Sequence, residues 1–241
     1  MFSRTTLLGS FIAMGLLTMA AQAQAACQTK DFDGKSLSRC KVWPAVQNQA
    51  IAVKSTYLAD AGDDDAGVFD LDLSIVNAST YNPIATYRKP GAYNSDAVRF
   101  EDLRIDTARY RLAPEVRAFG LRSKFAHSSH AIPYEKTDLA LYVREGNELR
   151  PVLEGLVVAK SNGEFMNDCE GYTKTIRRTV EIGPSSHHGL ADLIVTTSGS
   201  KMKNTQSGKE CVSNTTRLKQ KQITLTYDGQ QYIVPEDLRG Y

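Results

Sequence analysis

Residues 69–75 read Phe-Asp-Leu-Asp-Leu-Ser-Ile, so an apolar side chain stands at each odd position and a polar one at each even position. Successive side chains of a β-strand point to opposite faces, and this alternation therefore predicts a strand with one buried and one solvent-facing side. The same reasoning places further strands at 51–57, 110–112, 116–123, 139–145, 148–160, 173–182, 190–198 and 216–234.

Two pairs of turn residues connect such segments. Gly146-Asn147 separates 139–145 from 148–153, and Asp228-Gly229 separates 223–227 from 230–234. Asp-Gly adopts the positive backbone angles of a tight two-residue turn, so both segments predict β-hairpins. Helical periodicity is scarce, with short pieces expected near Asp96–Leu103 and Pro235–Leu238. We therefore expect an all-β fold of antiparallel sheets, either propeller-like or a sandwich.

The N-terminus has the three-part pattern of a secretory signal peptide at residues 1–25. A cation, Arg4, precedes an apolar run at 7–20, and Ala-Gln-Ala-Gln-Ala follows at 21–25 with two overlapping Ala-x-Ala cleavage sites. The apolar run is shorter than the roughly 20 residues that span a bilayer. We predict cleavage after Ala25, or after Ala23. Cleavage after Ala25 leaves one all-β domain at 26–241, without a membrane span, in the periplasm or secreted. An uncleaved N-terminal anchor is the alternative.

Four cysteines follow the predicted signal peptide, at positions 27, 40, 169 and 211. An even number of cysteines in an exported chain is typical of disulfides, and four cysteines allow three pairings. Proximity in sequence favours Cys27–Cys40 and Cys169–Cys211, which would staple the fold. A four-cysteine zinc site is the alternative, but the chain has no Cys-x-x-Cys pair.

An acidic loop precedes the strand at 69–75 and continues into its first residues. Its aspartates include Asp60, Asp63, Asp65 and Asp70, with glycines between them. Calcium takes six to eight oxygen ligands and accepts them from flexible loops, so these four residues are candidate calcium ligands. A solvated turn without metal is the alternative. The sequence indicates no other cofactor.

A short repeat includes part of this loop. Residues 67–73 and 189–195 share the pattern Gly-x-x-Asp-Leu-x-apolar, and the acidic run at 60–65 precedes the first copy. This pattern resembles FG-GAP-type β-propeller repeats, and the chain is similar in character to uncharacterised exported proteobacterial proteins. The resemblance implies a calcium-stabilised structural propeller with its metal in the acidic loop. The second copy departs from the family, because Ser-Ser-His-His occupies 185–188 where acidic ligands would stand.

Four histidines form the pairs His127 and His130, and His187 and His188. Imidazole is a common metal ligand and general base, so converging pairs would give an envelope hydrolase with a nonstandard histidine site. The chain has no Gly-x-Ser-x-Gly motif, and both predicted disulfides would leave no thiol nucleophile. The sequence therefore favours a protein without catalytic activity.

The formal net charge is only +2, which gives no overall argument for a nucleic-acid partner. An export signal, disulfides, a β scaffold and the lack of a catalytic motif together favour a binding or inhibitory module of the cell envelope. Such modules present loops or surfaces to a partner. We expect a protein or glycan partner, with the histidine hydrolase and the calcium-stabilised propeller as alternatives.

Overall fold

The computed structural model describes residues 27, 29–60 and 63–240, with the backbone alone at 63–65. This part of the chain contains twelve β-strands. The predicted signal peptide lies outside the described residues. The strands are β1 (Ser36–Val42), β2 (Gln49–Asp60), β3 (Asp63–Asn77), β4 (Pro83–Ser95), β5 (Arg99–Arg111), β6 (Arg117–His127), β7 (Tyr134–Glu145), β8 (Glu148–Phe165), β9 (Gly171–His187), β10 (Leu190–Ser207), β11 (Glu210–Arg217) and β12 (Lys221–Leu225).

All of these strands are hydrogen-bonded into one sheet. Its main path has the order β1-β2-β3-β4-β8-β7-β6-β5, while β8 also pairs with β9, β9 with β10, and β10 with both β11 and β12. The pairing is antiparallel except that β4 and β8 meet in parallel at Thr86 and Glu148. The predicted all-β class with antiparallel pairing is confirmed.

The sheet folds over so that β1–β4 pack face to face against β5–β8. Their apolar residues form a first core, with Leu73 and Ile75 from β3 against Phe119 and Leu121 from β6. The two ends of the path approach each other without a described β-ladder between them. This packing of layers resembles a sandwich, although the layers belong to one sheet.

The opposite face of β5–β8 is also buried. Leu139 and Leu141 of β7 pack with Leu193 and Val195 of β10 in a second core, which Leu225 of β12 completes. Strands that are buried on both faces need apolar residues at consecutive positions. This requirement explains why residues 139–143 read Leu-Ala-Leu-Tyr-Val without alternation.

Beyond the second core, the ends of four strands continue as a sheet without a hydrophobic core, which we call the distal sheet. It comprises residues 159–165 of β8, 171–178 of β9, 197–207 of β10 and all of β11. Every residue of β11 is exposed. The disulfide Cys169–Cys211 joins the β8–β9 turn to β11, and Cys27–Cys40 joins the N-terminal segment to β1, so both predicted disulfides are confirmed.

The predicted helical piece at Asp96–Leu103 is wrong, because β5 begins at Arg99. A β-bulge shifts the register between Phe100 and Asp102. The bulge leaves Phe100 and Leu103 in the same core although they are three residues apart, and this spacing resembles that of a helix. The piece near Pro235–Leu238 is confirmed as a 3-10 turn at Glu236–Leu238.

The two predicted hairpins have different outcomes. Glu145 pairs directly with Glu148, so the turn at Gly146-Asn147 is confirmed. At the second turn Tyr227 bridges to Tyr232 and encloses residues 228–231, so the predicted two-residue turn is wrong. The Asp228 carboxylate accepts the amides of residues 230 and 231, each at 2.7 Å, which stabilises this longer turn.

Candidate functional site

A cleft of about 610 Å³ opens where β4 separates from β8 beyond Thr86, while β4 stays paired with β3. The β7–β8 ladder has register shifts near Asp138 and Leu141, and such bulges add local twist to a pair of strands. The cleft is lined by Lys89, Ala92 and Tyr93 of β4, Ser123 and Phe125 of β6, Lys136, Asp138 and Tyr142 of β7, Glu154 and Gly155 of β8, and Arg239, among others.

Asp138 and Lys136 form an ion pair inside this cleft. The Lys136 Nζ atom donates to Asp138 Oδ2 at 3.0 Å, and the two side chains are only 14% and 22% exposed. The other oxygen, Oδ1, is buried and has no hydrogen-bond partner among the described residues. Burial raises the pKa of Asp138, and the nearby Lys136 and Lys160 oppose this effect. A desolvated acceptor without a donor is costly, and a ligand that supplies the donor would remove the cost.

Two tyrosines add hydroxyl groups and aromatic surface. Burial raises the pKa of Tyr93 even though Ser123 hydrogen-bonds its hydroxyl, and burial also raises that of Tyr142. Both hydroxyls are therefore protonated at neutral pH and can donate. The Tyr93 ring stacks on Phe100 at 4.5 Å, so its position is held by the first core.

Charged groups of both signs line the rim. Lys89 Nζ lies 3.0 Å from Glu154 Oε1 and links β4 to β8, with both side chains about half exposed. Arg239 comes from the C-terminal segment, which bridges to β8 at Leu156. The lining thus combines carboxylates, ammonium and guanidinium groups with tyrosines, and these groups suit a polar ligand with several hydrogen-bonding positions.

The predicted calcium ligands lie at two separate places. Asp60 faces Asp63 where β2 meets β3, and Asp65 follows two residues later. Asp70 lies seven residues beyond Asp63, which is about 23 Å along an extended strand. The Asp70 carboxylate accepts the Gly91 amide at 2.9 Å.

The structure therefore does not bring Asp70 to the turn at 60–65. The described residues contain no group of three or more His, Cys, Asp or Glu side chains that could hold a metal ion. The side chains of residues 63–65 lie outside that description, so calcium at this turn stays a prediction.

The histidine pairs lie at opposite ends of β9. His130 stands 6.2 Å, ring to ring, from Phe165, which pairs with the first residue of β9. His187 is the last residue of β9, about 50 Å away along an extended strand of this length. The predicted convergence of the two pairs is therefore absent.

His187 nevertheless has a carboxylate partner. Its Nδ1 atom lies 2.7 Å from Oδ1 of Asp192, which is 2% exposed, whereas the His187 side chain is 52% exposed. Within the described part of the chain, no hydroxyl group hydrogen-bonds to His187 as a nucleophile would. The pair holds the β9–β10 turn in place.

Sequence reasoning missed the cleft residues. The signal was present in β7, where Lys136 and Asp138 share the face of the core residue Tyr142. Two charges on a face that is otherwise buried indicate either a paired structural site or a ligand site. The cleft opens because β4 separates from β8, and these strands are distant in sequence. The pattern of apolar and polar residues within either strand does not indicate this separation.

No protein-family description, curated protein or solved structure matches the chain. The structure therefore gives the class of protein: an all-β, disulfide-bonded fold whose described residues form two hydrophobic cores and an open cleft lined by charged side chains and tyrosines. Two disulfides indicate an oxidising compartment outside the cytoplasm. Among the described residues, none of the helices has the length and apolar character needed to cross a membrane. The FG-GAP resemblance stays a prediction.

Proposed function

We propose that the chain is an exported binding module of the cell envelope, periplasmic or secreted, that holds a glycan in the cleft without cleaving it. The observation that carries this proposal is the buried, unpartnered Oδ1 atom of Asp138. Sugar hydroxyls are hydrogen-bond donors. A hydrogen bond from a neutral hydroxyl to a desolvated carboxylate is stronger than one between two neutral groups.

The remaining lining supports a sugar rather than an apolar ligand. The cleft volume of about 610 Å³ suits a ligand of one to a few rings. Tyr93 and Tyr142 supply hydroxyls, and Lys89 and Glu154 supply a donor and an acceptor at the rim. The lining therefore has several hydrogen-bonding groups, which match a polyhydroxylated molecule.

The test is a calorimetric titration of the oxidised protein, from residue 26 onward, with neutral, amino and acidic oligosaccharides. We expect one class to bind, and Asp138→Asn to weaken that binding about tenfold or more because the ligand's hydroxyl loses its charged acceptor. Asp72→Asn removes a half-exposed carboxylate from outside the cleft and serves as the matched control.

Two results would overturn the proposal. The first is a complete lack of oligosaccharide binding, and the second is equal affinity of the wild type and the Asp138→Asn variant. The same samples are assayed for new reducing ends, since release of sugar would contradict the absence of catalysis and would favour the hydrolase alternative.

A further inference from the structure

One face of the distal sheet has closely spaced lysines. The register aligns Asn162, Lys174, Lys201 and Thr216 in one row across the strands. A second row contains Glu164, Tyr172, Lys203 and Asn214, and a third contains Lys136, Lys160 and Ile176. We call this surface the lysine face, defined by Lys160, Lys174, Lys201, Lys203, Tyr134 and Tyr172.

Two pairs of lysines stand directly opposite each other on neighbouring strands. Lys136 faces Lys160, and Lys174 faces Lys201. Like charges in this position destabilise a sheet. Lys136 is compensated by Asp138, but none of the described carboxylates forms an ion pair with Lys174, Lys201 or Lys203.

Protection of a sheet edge does not explain these charges. Lysines on edge strands discourage aggregation, but β9 and β10 are interior strands with a neighbour on each side. Lys174 and Lys201 thus repel each other at a position where a neutral residue would be more stable. Cations without a carboxylate partner on an exposed sheet surface are an arrangement that attracts an anionic partner.

The other groups of the lysine face fit a sugar chain. Lys201 Nζ lies 4.6 Å from the Tyr172 ring centre, and Lys160 Nζ lies 5.2 Å from that of Tyr134. These cation–π contacts hold the ammonium groups beside flat aromatic surface. A hollow of about 470 Å³ lies next to Tyr172, with Glu164 and Glu170 as its carboxylates.

We infer that the lysine face binds an acidic polysaccharide, independently of the cleft. A protein partner would need an apolar, desolvated centre in the interface, whereas this face consists mainly of lysines, amides, hydroxyls and two tyrosine rings, with Glu164, Ile176 and Val212 as scattered exceptions. The four strands present about 14 Å of surface from β8 to β11, across which an extended chain of sugars can lie. The carboxylates of the polysaccharide would pair with the lysine ammonium groups, and its sugar rings would pack against the tyrosine rings.

The experiment compares two double variants with equal charge loss. Lys174→Gln with Lys201→Gln removes the facing cations, whereas Arg177→Gln with Arg217→Gln removes two cations from the opposite face of the distal sheet. Polygalacturonate, neutral dextran and polyaspartate are titrated against the oxidised protein at low and high ionic strength. We expect salt-sensitive binding of polygalacturonate, weakened about tenfold by the lysine changes and less than about twofold by the arginine changes.

Several outcomes would overturn the inference. They are no binding of polygalacturonate, equal losses in the two double variants, and polyaspartate binding as tight as that of polygalacturonate. Lys174→Arg with Lys201→Arg keeps the charges and should keep the binding, which separates a lost ligand contact from a damaged fold. The melting temperature of the glutamine variant should not fall, because the change relieves repulsion. Lys174 and Lys201 do not line the cleft, so their glutamine variant should leave oligosaccharide binding in the cleft unchanged, and failures of the two proposals are distinguishable.

Discussion

The region of the two cores and the distal sheet are built from parts of the same strands, but these parts are stabilised in different ways. Within β10, Leu193 and Val195 are buried in the second core, while Lys201 and Lys203 stand exposed a few residues later. The alternation continues across both regions, but its apolar members are replaced by lysine and threonine. A β-ladder can therefore extend past its hydrophobic core, provided that other contacts hold the extension.

Backbone fit and a covalent link hold the distal sheet. A Cβ atom at Gly171 would collide with the carbonyl oxygen of Glu164, and one at Gly199 would collide with that of Thr175. Glycine thus allows close backbone approach at two positions in the ladder. Cys169–Cys211 then ties the outermost strand to the β8–β9 turn. Burial of apolar side chains stabilises the region of the two cores, whereas backbone hydrogen bonds and a disulfide stabilise the distal sheet.

The largest expected effect is on the free energy of unfolding, when one apolar side chain is truncated in each of the two regions. Leu139→Ala should lower the free energy of unfolding by about 2–5 kcal/mol, because Leu139 is fully buried in the second core. Val212→Ala in β11 should change it by about 0.5 kcal/mol or less, because Val212 is 46% exposed. Chemical denaturation of both variants measures the two values, and comparable losses would show that the distal sheet has a core of its own.

Removal of the Cys169–Cys211 disulfide should have the next largest effect. Its 42-residue separation corresponds to about 4 kcal/mol in the chain-entropy treatment, as an upper value. With both cysteines changed to serine, amide hydrogen exchange should accelerate in β11 while β7 keeps its protection. The matched control changes Cys27 and Cys40, which should leave exchange in β11 unaltered. Equal acceleration in β7 and β11 would mean that the two regions unfold as one unit.

The strands could be predicted where burial is one-sided and local, as at residues 69–75. The turn at Gly146-Asn147 depends on adjacent residues, and it was predictable for the same reason. The disulfides were predicted because each cysteine pairs with the one nearest to it in sequence, even across the 42 residues that separate Cys169 from Cys211. The prediction failed at Phe100 and Leu103, where a bulge changes which residues share a face. The cleft was not predictable, because Asp138 becomes a ligand candidate only through the separation of β4 from β8, strands that are distant in sequence.

The smallest expected effect concerns charge, which is paired in the region of the cores and unpaired on the lysine face. Asp106 lies at a bulge in β5, between the residues that face the first core and those that face the second. Its Oδ2 atom accepts from Arg122 Nε at 2.8 Å and from the Tyr110 hydroxyl at 3.1 Å. Burial alone would raise the pKa of Asp106, but the bonds from the Ala108 amide and Arg122 outweigh burial and lower it.

This lowered pKa sets the sign of a pH-dependent effect. The ionised carboxylate stabilises the fold above the ordinary aspartate pKa of about 4, and this contribution disappears as the pH falls through the lowered value. Asp106→Asn should therefore cost about 1.5–3 kcal/mol at neutral pH, the range for hydrogen bonds to a charged group, and progressively less below about pH 4. Asp72→Asn, which breaks a half-exposed contact with Arg88, should cost about 0–1 kcal/mol. Denaturation across this pH range measures both, and a cost of Asp106→Asn that does not change with pH would show that shape rather than charge holds the bulge.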